Sequence, residues 1–215
     1  MEYRRTKVLS PIRFVICIVA VVAGQAFALA DCRKEPRAQC QSAALSRVNW
    51  KSADLSGGDF RNANLEGANL EGVRLTGADL RGANLKSVRL VQSDLAEANL
   101  EGADLSGANL RRASLPRAQL GKANLSKTFL EGADLSSARL GNADLTRAQL
   151  VGADLQQADL RGAKLDGAFL NYANLKQANL SGTSIQRSRI IDARLAGAIW
   201  VDGKVCSATS VGSCE

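Results

Sequence analysis

Residues 43 to 200 repeat one five-residue pattern without interruption: a small residue, a polar residue, Leu, and two further positions. Of 32 units with centres from Leu45 to Trp200, 27 have Leu at the centre, and 24 have Ala two residues earlier. A period of five fits neither the 3.6-residue period of an amphipathic helix nor the two-residue period of a half-buried strand. Because an internal repeat decides the architecture, the fold must be built from this unit.

A chain that turns one corner per unit points every central residue inward and returns above its starting point after 20 residues. Successive coils then hydrogen-bond as parallel strands about 4.8 Å apart, so eight coils make a rod about 38 Å long. The pattern therefore predicts an all-β solenoid with a core of Leu columns and Ala between them. Most glycines lie two residues after a centre, where a corner needs a tight turn.

One unit, Ala103-Asp104-Leu105-Ser106-Gly107, has every feature of a known repeat: a small residue, Asp or Asn, Leu or Phe, a polar residue and Gly. The chain resembles the pentapeptide-repeat proteins over about three quarters of its length. The resemblance implies a right-handed quadrilateral parallel β-helix of about eight coils, with Leu and Ala inside. It implies no catalytic activity, because the motif residues of that family are structural.

The first 30 residues differ from the repeats and have the order of a secretory signal. A basic leader precedes an apolar run from 14 to 23, and the small residues Ala28 and Ala30 follow. We expect residues 1–30 to be removed after Ala30, which places the mature protein in a bacterial periplasm or outside the cell. An uncleaved anchor is the alternative, but the apolar run is shorter than the ~20 residues that span a bilayer. Lipid attachment at Cys32 is disfavoured by Asp31 before it.

Four cysteines remain after that cleavage, and they flank the repeats. An even number in an exported chain indicates disulfides, with three possible connectivities. The pairs Cys32–Cys40 and Cys206–Cys214 are favoured because the rod separates its two ends. We therefore expect an N-terminal cap over 31–42, the repeat helix over 43–202 and a C-terminal cap over 203–215. The tail that starts at Trp200 also resembles the tail of exported pentapeptide-repeat proteins. Large rings are expected to cover the Leu columns near the ends: Trp50, Phe60 and Trp200.

The charge of the mature chain is mildly basic. The full sequence carries +7, and removal of residues 1–30 leaves 24 Lys and Arg against 20 Asp and Glu, or +4. The best-known activity in the family that this chain resembles is protection of DNA gyrase, in which an acidic rod mimics DNA. A basic, exported rod argues against that role, since gyrase is cytoplasmic.

Catalysis is not predicted, because a rod displays its side chains on convex faces and the sequence contains no His. We predict no catalytic residue, cofactor, resident metal or small-molecule substrate. Asp134 and Asp154, like Asp59 and Asp79, would stack one coil apart and could bind calcium, although a solvated ladder shared with Asn is favoured. Pro116 needs a corner or an unpaired edge, because it has no backbone N–H.

Two outward-facing sets of residues are candidates for binding. The first is an apolar stripe that suits docking or self-association, unless its rings only shield the backbone: Val91, Phe129, Val151, Phe169, Tyr172 and Ile191. The second is a basic stripe that suits lipid head groups, acidic polysaccharide or nucleic acid, unless it serves solubility alone: Arg47, Lys127, Arg147 and Arg187.

These features predict a non-enzymatic, exported structural or protein-interaction module whose partner is another protein or a second copy. The alternative is a binder of anionic surfaces through the basic stripe. Nucleic acid is disfavoured because the bases lack interleaved aromatic residues. Contact with a membrane is expected only through the signal before cleavage.

Overall fold

The computed structural model describes residues 32–215, so the predicted signal and its cleavage site lie outside the described residues. Parallel bridges join each residue before a centre to the residue 20 positions later, from Gln39↔Asp59 to Asn179↔Ile199. One coil therefore contains 20 residues and has four sides. This confirms the right-handed quadrilateral parallel β-helix of about eight coils.

Each side of the coil is built from single bridges rather than from extended strands, and bridged residues stack every 20 positions. Face 1 contains Gln39 and the residues stacked on it, face 2 starts at Ala44, face 3 at Asn49 and face 4 at Asp54. Two turn residues form the corner after each face. A side chain's position in the unit and its coil number therefore fix its place on the surface.

The core consists of the central Leu and the preceding Ala of each unit, and nearly all of them are fully buried. Burying one Leu side chain contributes about 1.5–3 kcal/mol before the entropy cost of ordering the chain. Four hydroxyl residues replace Ala, and three of them donate to the carbonyl oxygen of the preceding centre, as Thr128 Oγ1 does to Leu125 O at 2.6 Å. The other two of these three are Ser93 and Thr183, while the fourth, Ser188, donates to Leu165 O.

The corners explain the glycines two residues after a centre. At each corner the N–H of the next small residue donates to the central carbonyl, as in Ala103 N to Leu100 O at 3.0 Å. The second corner residue has a positive φ throughout, which is the type II turn geometry that Gly favours. Many corners nevertheless contain Arg, Lys, Ser, Asn or Gln there, including Arg112 with φ 56°.

Asn and Asp before the centre have a structural task that the sequence reasoning missed. Every such residue from Asn49 to Asn179 accepts a hydrogen bond from the backbone N–H two residues later. That N–H, on the first corner residue, takes no part in the bonds between coils. The side-chain oxygen therefore satisfies the donor that the ladder omits. Pro116, which has no N–H, occupies this first corner position, in agreement with the prediction.

The N-terminal end enters the helix earlier than position 43. Gln39 already bridges Asp59, and Cys40 occupies the buried central slot of this first unit. Its sulfur lies 2.05 Å from that of Cys32, so the favoured pairing agrees with the geometry. Phe60 is fully buried at a nearby centre, and Gly58 leaves room for it, since a Cβ there would lie 2.5 Å from the ring.

The C-terminal end is closed by a returning segment. Residues 203–215 fold back antiparallel and bridge Val205 to Ile199 and Val211 to Arg194, which covers faces 1 and 4. Cys206 and Cys214 lie at disulfide distance within this segment. The central residues Ile185 and Ile190, on faces 2 and 3 of the last coil, stay partly exposed. In the described part of the chain, no helix has the length and apolarity to span a bilayer.

Candidate interaction face

The six predicted apolar residues all lie on face 3 or on the corner that follows it. Phe129 and Phe169 occupy the slot before the centre, where most units have Asn or Asp. Val91, Val151 and Ile191 take the first corner position, and Tyr172 takes the second. The three exposed members are in the C-terminal coils: Val151 (37%), Tyr172 (62%) and Ile191 (60%).

The stripe is interrupted on the N-terminal side. Arg111 and Glu131 stack between Val91 and Val151 in the same corner column, and Val91 is half-buried. The Arg111 guanidinium donates a hydrogen bond to Glu131 Oε1 at 3.0 Å. The other carboxylate oxygen, Glu131 Oε2, is the one buried side-chain oxygen or nitrogen without a hydrogen-bond partner in residues 32–215. The apolar surface therefore belongs to the C-terminal coils.

The two Phe rings lie beneath guanidinium groups. The Arg111 Cζ atom lies 4.4 Å from the centroid of the Phe129 ring, and the Arg189 Cζ atom lies 5.2 Å from that of Phe169. Cations over aromatic faces at these distances attract the ring quadrupole. Both rings are half-buried, so each gives face 3 an apolar surface in contact with a guanidinium group, and Gln149 lies between the two. We call this part of face 3 its aromatic floor.

The four residues of the basic stripe occupy the second position of the corner between faces 2 and 3, and all are exposed. Arg47 is isolated, because Gly67, Ser87 and Gly107 separate it from Lys127 in the column. Lys127 and Arg147 lie on adjacent coils. The stem of Arg147 runs over the next coil, where a Cβ on Gly167 would come within 3.4 Å of its Cγ atom. The basic column therefore runs from residue 127 to residue 187, and Gly167 interrupts it between Arg147 and Arg187.

The basic column and the apolar corner border opposite sides of face 3, so two candidates that looked separate in the sequence form one surface. We call this surface the composite face. It contains a basic border, a floor of two aromatic rings with one arginine, and an apolar border: Lys127, Arg147 and Arg187; Phe129, Phe169 and Arg189; Val151, Tyr172 and Ile191.

Ion pairs are distributed unequally along the rod. Between residues 51 and 131, acidic and basic side chains pair repeatedly, as in Arg74–Asp54 at 2.8 Å and Arg117–Glu97 at 2.5 Å. Between residues 123 and 200 the structure has one pair, Arg161–Asp159 at 2.7 Å. The remaining bases of that stretch have no acidic group within ion-pair distance in the described chain: Lys127, Arg139, Arg147, Lys164, Lys176, Arg187, Arg189 and Arg194.

The stacked aspartates have other roles than a calcium site. Hydrogen bonds from the Arg61 and Arg81 guanidinium groups hold the pKa values of Asp59 and Asp79 below their usual range. Asp134 and Asp154 each accept a backbone N–H at 2.9 Å. Within residues 32–215 no three His, Cys, Asp or Glu side chains are grouped as metal ligands would be. The surface depressions are shallow and open, and one lies beside Asn142 and Arg161.

Comparison with known proteins agrees with this architecture. The family profile for pentapeptide repeats matches eight copies, within residues 37–72, 74–112, 93–132, 113–149, 130–167, 143–182 and 158–199. No curated protein matches the chain. Among solved structures, the chain is similar to HetL from the cyanobacterium Nostoc sp. strain PCC 7120, a pentapeptide repeat protein involved in regulation of heterocyst differentiation. The identity is 36% over 79% of this chain and 92% of HetL, with a TM-score of 0.30.

Two further solved structures are similar to the chain. A pentapeptide repeat protein from the Arabidopsis thaliana thylakoid lumen is 31% identical over 53% of this chain and 84% of its own, with a TM-score of 0.30. QnrB1, a plasmid-mediated fluoroquinolone resistance protein, is 20% identical over 74% of this chain and 86% of its own, with a TM-score of 0.40.

Proposed function

The chain belongs to the pentapeptide repeat family, and from this premise we propose that it is an exported, non-enzymatic module that binds a protein partner on one side of a rigid β-helix. The observation that carries the proposal is the composite face. Elsewhere on the rod the Leu, Ala, Asn and Asp of each unit are occupied in the core and the turns. On the composite face the Leu and Ala remain in the core, but Phe129 and Phe169 replace Asn or Asp before the centre, and exposed apolar residues and unpaired bases occupy the adjoining corners. An exposed apolar patch with polar borders is typical of a binding surface.

Export is supported by both ends of the helix. Cys32 and Cys40 lie at disulfide distance at one end, and Cys206 and Cys214 at the other. Disulfides persist in the periplasm and outside the cell and are rare in the cytosol. The signal-like order of residues 1–30 points to the same compartment.

A binder of anionic surfaces is the second candidate, and the unpaired state of Lys127 and Arg147 favours it. Salt separates the two functions. Binding through phosphate or sulfate contacts alone weakens steeply as screening increases, whereas an interface with an apolar border retains part of its affinity. Protection of gyrase is not proposed, because the likeness to QnrB1 is one of fold and the rod is basic.

Photocrosslinking in the native host tests the function. A photoreactive phenylalanine analogue at Tyr172, which is exposed on the composite face, should crosslink to one protein in the periplasmic fraction. The same analogue at Gln119, which is exposed on the opposite face 1, is the matched control. Equal crosslinking at both positions, or none at Tyr172, would contradict a partner on the composite face.

The same fractions test export. The protein should appear in the periplasm or medium with its mass reduced by residues 1–30, and without free thiols. A full-length, reduced protein in the cytosol would contradict the proposed location.

A further inference from the structure

We propose that the composite face binds an amphipathic α-helix of the protein partner, and that this helix has acidic residues along one edge. This inference rests on the proposed function and specifies the shape and charge of the segment that binds. It treats the basic column and the apolar corner as two borders of a single site.

The charge of the occupant follows from the missing counter-ions. The acidic residues nearest the basic column are already committed to the fold. Asp144 accepts the Thr146 N–H at 2.9 Å, and Asp166 accepts from the Ser184 hydroxyl at 2.6 Å. These hydrogen bonds come from neutral groups and orient the two carboxylates without removing their charge. No acidic side chain lies within ion-pair distance of Lys127, Arg147 or Arg187 in the described chain, and all three bases face solvent. Electrostatic complementarity therefore requires carboxylates on the occupant.

An added β-strand does not suit this face, because its backbone is already used. The N–H of Gln149 donates to Thr128 O at 2.9 Å, and the N–H of Leu150 donates to Phe169 O at 2.8 Å. Strand addition depends on an edge with free N–H and C=O groups. The occupant must therefore contact side chains, which is the way a helix binds.

The dimensions of the face match a helix. The basic column from residue 127 to residue 187 crosses three coil spacings, or about 14 Å. Three turns of α-helix rise about 16 Å, so successive turns meet successive coils in approximate register. From Arg147 to Val151 the chain takes four residue steps, at most about 13 Å, and a helix with side chains is about 10–12 Å across. One edge of the helix then reaches the bases while the other reaches Val151, Tyr172 and Ile191.

A lipid surface is less well served by this arrangement. Insertion into a bilayer requires the apolar groups to be outermost, and aromatic residues are the main contributors. Here the Phe129 and Phe169 rings lie beneath Arg111 and Arg189. The two half-buried Phe rings are therefore poorly placed for insertion, which leaves Val151, Tyr172 and Ile191 as the exposed apolar residues of the face.

A displayed library of random peptides of about 20 residues tests the proposal, with the mature protein as bait. Enriched peptides should carry acidic residues at i, i+4 and i+7 along one edge and apolar residues along the adjoining edge. An enriched synthetic peptide should become helical when it binds, as measured by circular dichroism.

Two double variants should each weaken binding of that peptide by at least about tenfold, the equivalent of losing one strong contact: Lys127→Ser with Arg147→Ser, and Tyr172→Ser with Ile191→Ser. Ser87 already occupies the corner position of Lys127 with φ 52°, so Ser preserves the turns. Lys176→Ser with Arg194→Ser removes two unpaired bases beside face 4 and should leave the affinity unchanged.

Several results would overturn the inference: no enrichment, enriched sequences without a helical period, equal binding to the double variants, or binding of anionic phosphatidylglycerol vesicles in place of peptide. A crosslink at Tyr172 together with any of these results would leave the proposed protein-binding function intact and reject only the helical, acidic occupant. Loss of the Tyr172 crosslink as well would reject both.

Discussion

The two halves of the rod share one core and differ in their surface charges. In the N-terminal half, residues 32–122, coils are joined by ion pairs such as Lys51–Glu71 at 2.8 Å, with Arg47 and Arg112 among the exceptions. In the C-terminal half, residues 123–202, the acids hold turns and most bases are unpaired. The repeat fixes the core in both halves alike, so the free surface positions can serve stability in one half and binding in the other.

A matched pair of core substitutions tests whether the two halves are equally packed. Leu85 and Leu165 are fully buried in the same column, one in each half. Leu85→Ala and Leu165→Ala should each lower the free energy of unfolding by about 2–5 kcal/mol, because each leaves a cavity between coils. Urea unfolding measures both values. A much smaller loss at Leu165 would show that the halves differ inside as well as outside.

The C-terminal disulfide should stabilise its own half selectively. Cys206→Ser with Cys214→Ser opens a nine-residue loop, worth about 2.5 kcal/mol in the chain-entropy model. Hydrogen exchange should accelerate at the amides that pair with the returning segment, Leu195 and Gly197, while the N-terminal half keeps its protection. Uniform acceleration along the rod would instead indicate that the coils unfold as one cooperative unit.

Acid should produce the smallest effect, and most of it should arise in the N-terminal half, because within residues 123–202 a lowered carboxyl pKa is found at Asp159 and Asp202 alone. The pKa values of Asp59 and Asp79 are lowered in the folded state, so their contribution is complete above the unfolded carboxyl pKa of about 3.9 and is lost as the pH falls through the folded values. Arg61→Gln with Arg81→Gln should therefore reduce the fall in melting temperature below about pH 4. Arg147→Gln with Arg187→Gln should leave that fall in melting temperature unchanged, because these two bases have no acidic partner within residues 32–215. An equal effect of the two double variants would contradict the difference in ion pairing between the two halves.

The fold could be predicted from the sequence because its cause is local and repeated. A central Leu, a small neighbour and a five-residue period fix the coil, and the corner position accounts for Pro116 and the glycines. The role of Asn and Asp was missed because the period alone does not show which backbone N–H groups lack a partner in the hydrogen bonds between coils. The sequence analysis also missed that the helix begins before residue 43, with Cys40 in a central slot. A cysteine outside the Leu pattern was interpreted as part of the cap.

The composite face was only partly predictable. The sequence placed Phe129, Tyr172 and Ile191 on one side, since residues 20 apart must stack. The same register places the basic column beside that side, two residues before the face 3 positions, but the two sets were interpreted separately. The contacts of Arg111 and Arg189 with the rings depend on side-chain reach between coils, and the lack of ion pairs depends on which acids the turns engage, so neither is visible in the order of residues.

The 20-residue coil also constrains how such a protein can change its length. Insertion or loss of a whole coil shifts everything beyond it along the axis and leaves every column aligned. Insertion of a single five-residue unit preserves the core pattern equally well but rotates all later residues by a quarter turn. Placed between Phe129 and Arg147, it would carry one part of the composite face onto the next side. Duplications in multiples of 20 therefore keep every residue on its own side of the rod, whereas single-unit duplications move all later residues to another side.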